Sequence, residues 1–408
     1  MSRRPAGTPR QLATLLAPAR WPATRAAFDR DAALRARRLR AAAGDRLRQR
    51  RRRSRPAMRA LSIGPGGRFS WQSCPEPPLP GPDGALVHPI AVATCDLDRA
   101  LALGRTPFLL PLHFGHECVA EVVTVGERVR SVRPGDRVVV PFQISCGRCR
   151  ACRAGRTANC LSVPPLAMYG FGVLGGHWGG ALSDLLAVPF ADGMLVALPP
   201  GIDPAAAASV ADNVSDAYRH IGPHLPADDV LIVGAQRSSS LFSSSTALYA
   251  ALVARALGCR RVRIADGRRA LRERAEQLGF ETLTPRQLRG AGTAQLVVDV
   301  SVSARGAATA LAHTAPDGVC SSAGGLHARV RLPAALLYAR NVTHLVGRSH
   351  ARTAIPRVLE LMADGALRPE LVTSTVAAID DAPRALRDHV RGEDRKTVLV
   401  EAGRAGAR

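Results

Sequence analysis

Four cysteines inside one short stretch constrain this chain more than any other feature. Cys146, Cys149, Cys152 and Cys160 stand at spacings of x2, x2 and x7 in SCGRCRACRAGRTANC. Thiolates suit zinc, and a closed structural site wants four ligands at tetrahedral corners, so this spacing can wrap one zinc ion. Inert, reduced cysteines prefer apolar neighbours, whereas Arg148, Arg150 and Arg153 are interleaved here. Residues 141 to 163 therefore read as a loop held by metal. The odd total of nine cysteines, with metal-type spacing, argues against a disulfide framework and for a reducing compartment. The expected location is the cytoplasm.

A length of 408 residues suggests two or three domains, and 46% hydrophobic content is ample for their cores. No run of apolar residues is long enough to span a membrane, and no secretory signal is visible at the N-terminus. The net charge of +23 is unevenly spread: residues 1 to 57 carry 17 Arg and 3 Asp, which places +14 there and +9 elsewhere. That stretch is expected to be a disordered extension ahead of a first strand beginning at Met58. Lys396 is the only lysine among 56 basic residues, a skew that reads as coding bias. Nucleic acid is not an expected partner, because aromatics make up only 4% and no recognition-helix pattern follows the cysteines.

Two textures follow each other along the chain. Residues 58–63, 85–94 and 181–198 read as strands, and 118–140 alternates apolar and polar positions, broken at the turn Arg133-Pro134-Gly135-Asp136, as in an antiparallel, partly open barrel. From residue 204 helical periodicity alternates with short apolar strands. A helix is expected over 204–222 and another over 246–257, with strands at 230–233, 261–265, 296–300, 318–322 and 343–346. That alternation implies a doubly wound parallel sheet. The fold class is thus α/β plus β.

The triplet Gly115-His116-Glu117, the Val132-Arg133-Pro134-Gly135-Asp136-Arg137-Val138 passage and the cysteine loop together resemble the zinc-dependent medium-chain alcohol dehydrogenases, over residues 58 to 403. The resemblance implies a GroES-like catalytic domain at 58–213 with a structural zinc loop at 146–160. It also implies a Rossmann cofactor domain at 214–348 and a tail at 349–408 that returns to the first domain. Three ligands and one open position would make a catalytic zinc site. The resemblance puts the first at Cys95, the second at His116 and the third at Asp212, as in the formaldehyde-dehydrogenase-like branch, with Asp216 the competing candidate. Asp98 would hold the outer ring nitrogen of His116, and Glu117 would adjoin the metal. The expected substrates are small alcohols or aldehydes, and the expected assembly is a homodimer or homotetramer. The family's proton relay uses a hydroxyl two residues after the first cysteine and often a histidine five after it; Leu97 and Ala100 stand there.

Gly234 begins the nucleotide loop, but AQRSSSLFSSST follows where the family has further glycines, and the loop runs about six residues long against that pattern. Asp266 ends the second parallel strand, where a carboxylate accepts from the adenosine ribose and favours NAD over NADP. Arg268 and Arg269 follow it and could hold a phosphate. The alternative to an enzyme is a zinc-stabilised scaffold with a degraded cofactor loop.

Overall fold

The computed structural model describes residues 55–402 except 107, 109, 173–177, 241, 243–244, 324–330 and 393–395. The expected N-terminal extension falls almost wholly outside the described residues. The first strand, β1 (Ala57–Gly64), pairs antiparallel with β2 (Arg68–Pro75) and on its other edge with β4 (Leu112–His113).

The larger sheet of this half contains β3 (Ala85–Ala93), β5 (Glu117–Val125), β6 (Arg137–Val140), β7 (Leu186–Val188) and β8 (Val196–Ala197). Its order is β15 (Thr375–Ala378), β16 (Thr397–Val400), then β3-β5-β6-β8, with β7 also against β3. The connection from β5 to β6 closes as the sequence demands. Gly135 takes φ +89°, which glycine reaches without steric cost, and Asp136 accepts the Arg133 amide at 2.9 Å. Among the described residues the antiparallel strands form no closed barrel.

The second half is a six-stranded parallel sheet: β9 (Asp229–Val233), β10 (Arg261–Ala265), β11 (Glu281–Leu283), β12 (Ala294–Asp299), β13 (Thr314–Ala323) and β14 (Thr343–Gly347). The order β11-β10-β9-β12-β13-β14 reverses direction between β9 and β12. Such a switch point opens a crevice at the carboxyl ends of the strands. The chain then returns. β15 (Thr375–Ala378) and β16 (Thr397–Val400) rejoin the first half, β16 pairing antiparallel with β3 from Val398↔Ala93 to Val400↔Ala91.

One expected element is divided. Residues 204–222 do not form a single helix: a short helix and a 3-10 turn end at Ala211, Asp212 leaves helical geometry at φ −144° and ψ −79°, and α2 (Asn213–Ile221) starts afresh. The first helix, α1 (Asp98–Ala102), follows β3, and α3 (Ser245–Ala256) follows β9. The apolar side chains of segment 207–221 belong to one continuous core that also contains Ile90 and Val119 of one sheet and Val230 and Ile232 of the other. Periodicity reads the apolar face correctly but not the break, because the break serves Asp212 rather than the core.

The cysteine loop is attached by backbone against backbone. A Cβ on Gly147 would lie 2.7 Å from the Gly193 Cα, and one on Gly193 would lie 2.5 Å from the Cys146 carbonyl carbon. Gly193→Ala should therefore push the loop off its seat at a cost of about 1–3 kcal/mol, the usual range for overpacking. The shift of the denaturant midpoint measures it.

Candidate catalytic and metal sites

Sheet pairing builds the first site. Ala93 lies opposite Glu117 across β3 and β5, so Cys95, just past β3, and His116, just before β5, emerge at the same end of neighbouring strands. The break between Ala211 and Asn213 turns Asp212 toward them. Ligand atoms of Cys95, His116, Glu117 and Asp212 all lie within 4.8 Å of one another. The His116 Nε2 is 3.4 Å from the Asp212 carboxylate, and the ring is packed at 4.8 Å from Phe171 and 5.8 Å from Phe142. Gly170 permits the approach: a Cβ there would come within 2.6 Å of the Gly115 carbonyl oxygen and 3.2 Å of the His116 Cβ.

Acidic groups dominate this corner. Burial pushes the Cys95 thiol well up, and the carboxylates of Asp212, Asp98 and Glu117 add to it. Burial also raises Glu117 to about 8, against the pull of Lys396. For His116, burial favours the neutral ring, but Asp212, Asp98 and Glu117 outweigh it and the net shift is upward. Three atoms here, His116 Nε2, Glu117 Oε1 and Asp98 Oδ1, are buried without a hydrogen-bond partner. Buried polar atoms are normally satisfied, and a divalent cation among the converging side chains would satisfy those of His116 and Glu117. A sulfur, an imidazole nitrogen and carboxylate oxygens are a donor set that zinc accepts.

The second cluster is the cysteine loop. The sulfurs of Cys146, Cys149, Cys152 and Cys160 also lie within 4.8 Å of one another. Backbone amides point at them: Cys149 N–H at Cys146 Sγ (3.3 Å), Leu161 N–H at Cys149 Sγ (3.4 Å) and Cys146 N–H at Cys160 Sγ (3.3 Å). The Leu161 amide, with further donors, brings the Cys149 thiol down to about 6 despite partial desolvation. Such donors favour thiolates, the form that binds metal.

Residues 81–200 match the alcohol dehydrogenase GroES-like domain. The chain is 30% identical, over 344 residues, to a Mycobacterium tuberculosis protein described as a probable zinc-binding alcohol dehydrogenase, covering 80% of this chain and 84% of that one. This chain belongs to the zinc-dependent medium-chain alcohol dehydrogenases. It is also 27% identical over 358 residues to a glutathione-independent formaldehyde dehydrogenase of Bacillus subtilis (78% of this chain, 87% of the relative). The alcohol dehydrogenase TADH of Thermus sp. ATN1 superposes with a TM-score of 0.76 at 30% identity, over 84% of this chain and all of that one. As a medium-chain alcohol dehydrogenase, the protein is an enzyme, an oxidoreductase, and no finding favours a scaffold.

Against the pattern expected of a medium-chain dehydrogenase, several residues are placed differently. Asp98 does not hold the His116 ring: its Oδ2 accepts the Cys95 amide at 2.8 Å and its Oδ1 is unpartnered, so its influence on His116 is through space. Asp216 points away from the cluster, to Arg219 (2.5 Å) and His220 (3.6 Å). Asp266 is fully buried and is not turned toward a ribose. Its carboxylate takes the Ala235 amide at 2.9 Å and both Nε and Nη2 of Arg268 at 3.0 and 2.9 Å. A Cβ on Gly234 would fall 2.0 Å from the same carboxylate, so Gly234 makes room for Asp266. Arg269 pairs with Glu273 at 2.6 Å on the surface.

Three contributors were not singled out from sequence. Lys396 donates to Glu117 Oε2 (2.8 Å), Asn213 Oδ1 (2.9 Å) and the Thr94 carbonyl. Asn213 also directs its amide at Cys95 Sγ (3.7 Å). Asp96 reaches the start of α3. The one available signal was the rarity of lysine: the single example is buried at 2% exposure. Burial pulls its pKa down, but Glu117 reverses the shift and holds the ammonium charged.

Lys396→Met should leave Glu117 buried and uncompensated. A loss of about 3–5 kcal/mol is expected from breaking such a pair. Adding Glu117→Gln should recover part of it in a double-mutant cycle of denaturant unfolding. Simple additivity of the two losses would show that the pair is not coupled.

Proposed function

We propose that Cys95, His116 and Asp212 hold a catalytic zinc, with Glu117 beside it, and that the four-cysteine loop holds a structural zinc. What carries this reading is the convergence of these donors within 4.8 Å around buried atoms that have no partner. Zinc in such a site supplies a Lewis acid that lowers the pKa of an alcohol oxygen. The protein's own part is positional. The Asp212 break aims one carboxylate at the cluster. Leu97 N–H (3.3 Å) and the Asn213 amide stabilise the Cys95 thiolate. Lys396 draws one Glu117 oxygen away from the ligand corner. Leu97 and Ala100 offer no hydroxyl or imidazole, so the substrate proton leaves to water or to a basic group that the substrate itself carries. The substrates proposed are small alcohols or aldehydes.

The redox partner proposed is NAD rather than NADP. The guanidinium nearest the strand end, Arg268, is neutralised by Asp266, and Arg269 is engaged with Glu273. Asp266→Ala is expected to release Arg268 and narrow the preference toward NADP, as titration of both cofactors would show. A homodimer or homotetramer is supported by β14, which pairs only with β13 among the described residues. It exposes Val346 at 60% of its surface, an apolar edge of the kind that invites pairing. No helix of the described residues is long and apolar enough to cross a membrane. Nine free cysteines suit the reducing, cytoplasmic setting proposed.

Two substitutions separate the metals. Asp212→Ala should lower alcohol-driven nicotinamide reduction by at least about a hundredfold, the scale for losing transition-state charge stabilisation, while elemental analysis still finds the structural zinc. Cys149→Ser should lose that structural zinc and destabilise the loop, since structural metal binding is folding energy. Full zinc content in Cys149→Ser would remove the loop from the assignment. Full activity in Asp212→Ala would remove Asp212.

A further inference from the structure

The phosphate end of a nucleotide site in a doubly wound sheet is the N-terminus of the helix beside the switch point. Its first amides have no intrahelical partner, and the helix dipole is positive there. In this chain that helix is α3, which follows β9. Its first two amides are already taken. Asp96 Oδ1 accepts the Ser245 amide at 2.9 Å and the Ser245 hydroxyl, and Asp96 Oδ2 accepts the Thr246 amide at 3.0 Å. This carboxylate comes from the other half of the molecule, one residue beyond Cys95.

The surrounding contacts hold the same arrangement. Arg99, on α1, donates to the Ser240 carbonyl at 2.5 Å, and Arg268 donates to the Phe242 carbonyl at 3.0 Å. Gly267 N–H donates to the Ala235 carbonyl at 2.7 Å, closing the loop after Gly234 onto the end of β10. The ribose-side carboxylate, Asp266, is consumed by Arg268. The donor set as arranged therefore does not fit a dinucleotide: a carboxylate stands at the pyrophosphate position and would repel it, and the ribose acceptor is turned inward.

We propose that Asp96 is an internal latch, an anion supplied by the catalytic half that competes with the cofactor's pyrophosphate for the N-terminus of α3. Binding a dinucleotide then requires Asp96 to leave, so cofactor entry and separation of the two halves are one event. The proposal rests on the nicotinamide-linked reading and determines how strongly the cofactor is held.

The test is NADH binding by fluorescence titration, with pyrophosphate as a competing probe, in the zinc-loaded protein and in Asp96→Asn and Asp96→Ser. Asparagine keeps an oxygen for the helix cap while removing the charge. Both variants should bind NADH about ten- to a hundredfold more tightly, the range set by losing a competing charge-assisted pair of hydrogen bonds. Pyrophosphate should gain in parallel. Zinc content and thermal unfolding identify any variant that has lost the neighbouring Cys95 site, and the other variant then decides. Unchanged or weaker NADH binding in a zinc-loaded variant would overturn the latch and leave Asp96 as a helix cap. The nicotinamide-linked reading fails separately, if the unsubstituted zinc-loaded protein and both variants show neither NADH binding nor alcohol-driven nicotinamide reduction.

Discussion

A lysine ammonium, a glutamate carboxylate, an asparagine carbonyl and a backbone carbonyl meet in a space closed to water, and the seam between the two halves is assembled around that meeting. Each comes from a different place: Lys396 from the edge of β16, Thr94 from the end of β3, Glu117 from β5 and Asn213 from the start of α2. Taking a charge out of water costs several kcal/mol unless it is paired and bonded. The cost is offset here only when the last strand has returned to the first sheet, so the C-terminal segment is part of the site's foundation.

From that point two lines of polar contact run outward. Toward the metal corner, Asn213 and Glu117 stand beside Cys95 and His116. Toward the cofactor crevice, the Ser245 hydroxyl donates to the Asn213 carbonyl at 3.1 Å and also to Asp96. One asparagine is thus shared between the Cys95 sulfur, the buried lysine and the start of α3. A rearrangement at either end must be accommodated by the other, because buried polar networks do not tolerate half-satisfied members.

Much of this was legible in the residues. The spacing of Cys146, Cys149, Cys152 and Cys160 states a local geometry, and a local geometry survives folding unchanged. The strand β9 reads directly, because a buried parallel strand is apolar at every position. What could not be read depends on partners far apart in sequence. Asp212 breaks its helix because a histidine nearly a hundred residues earlier needs a neighbour. Asp266 sits where a ribose acceptor is expected, yet its partner two residues on decides its direction. Helical periodicity sees none of this, since Asp212 and Asn213 are polar residues whose burial is conferred by other segments. The identity of Lys396 was visible, but its meaning lay in the strand register that carries it across the molecule.

The solitude of that lysine has a practical side. Amine-directed reagents find many targets on most protein surfaces, yet the only ε-amino group in this sequence lies at 2% exposure, bonded on three sides under the face of Tyr249. Acylation at that single nitrogen is therefore a built-in reporter. Its rate measures how often the seam between the halves opens, with no background from other side-chain amines.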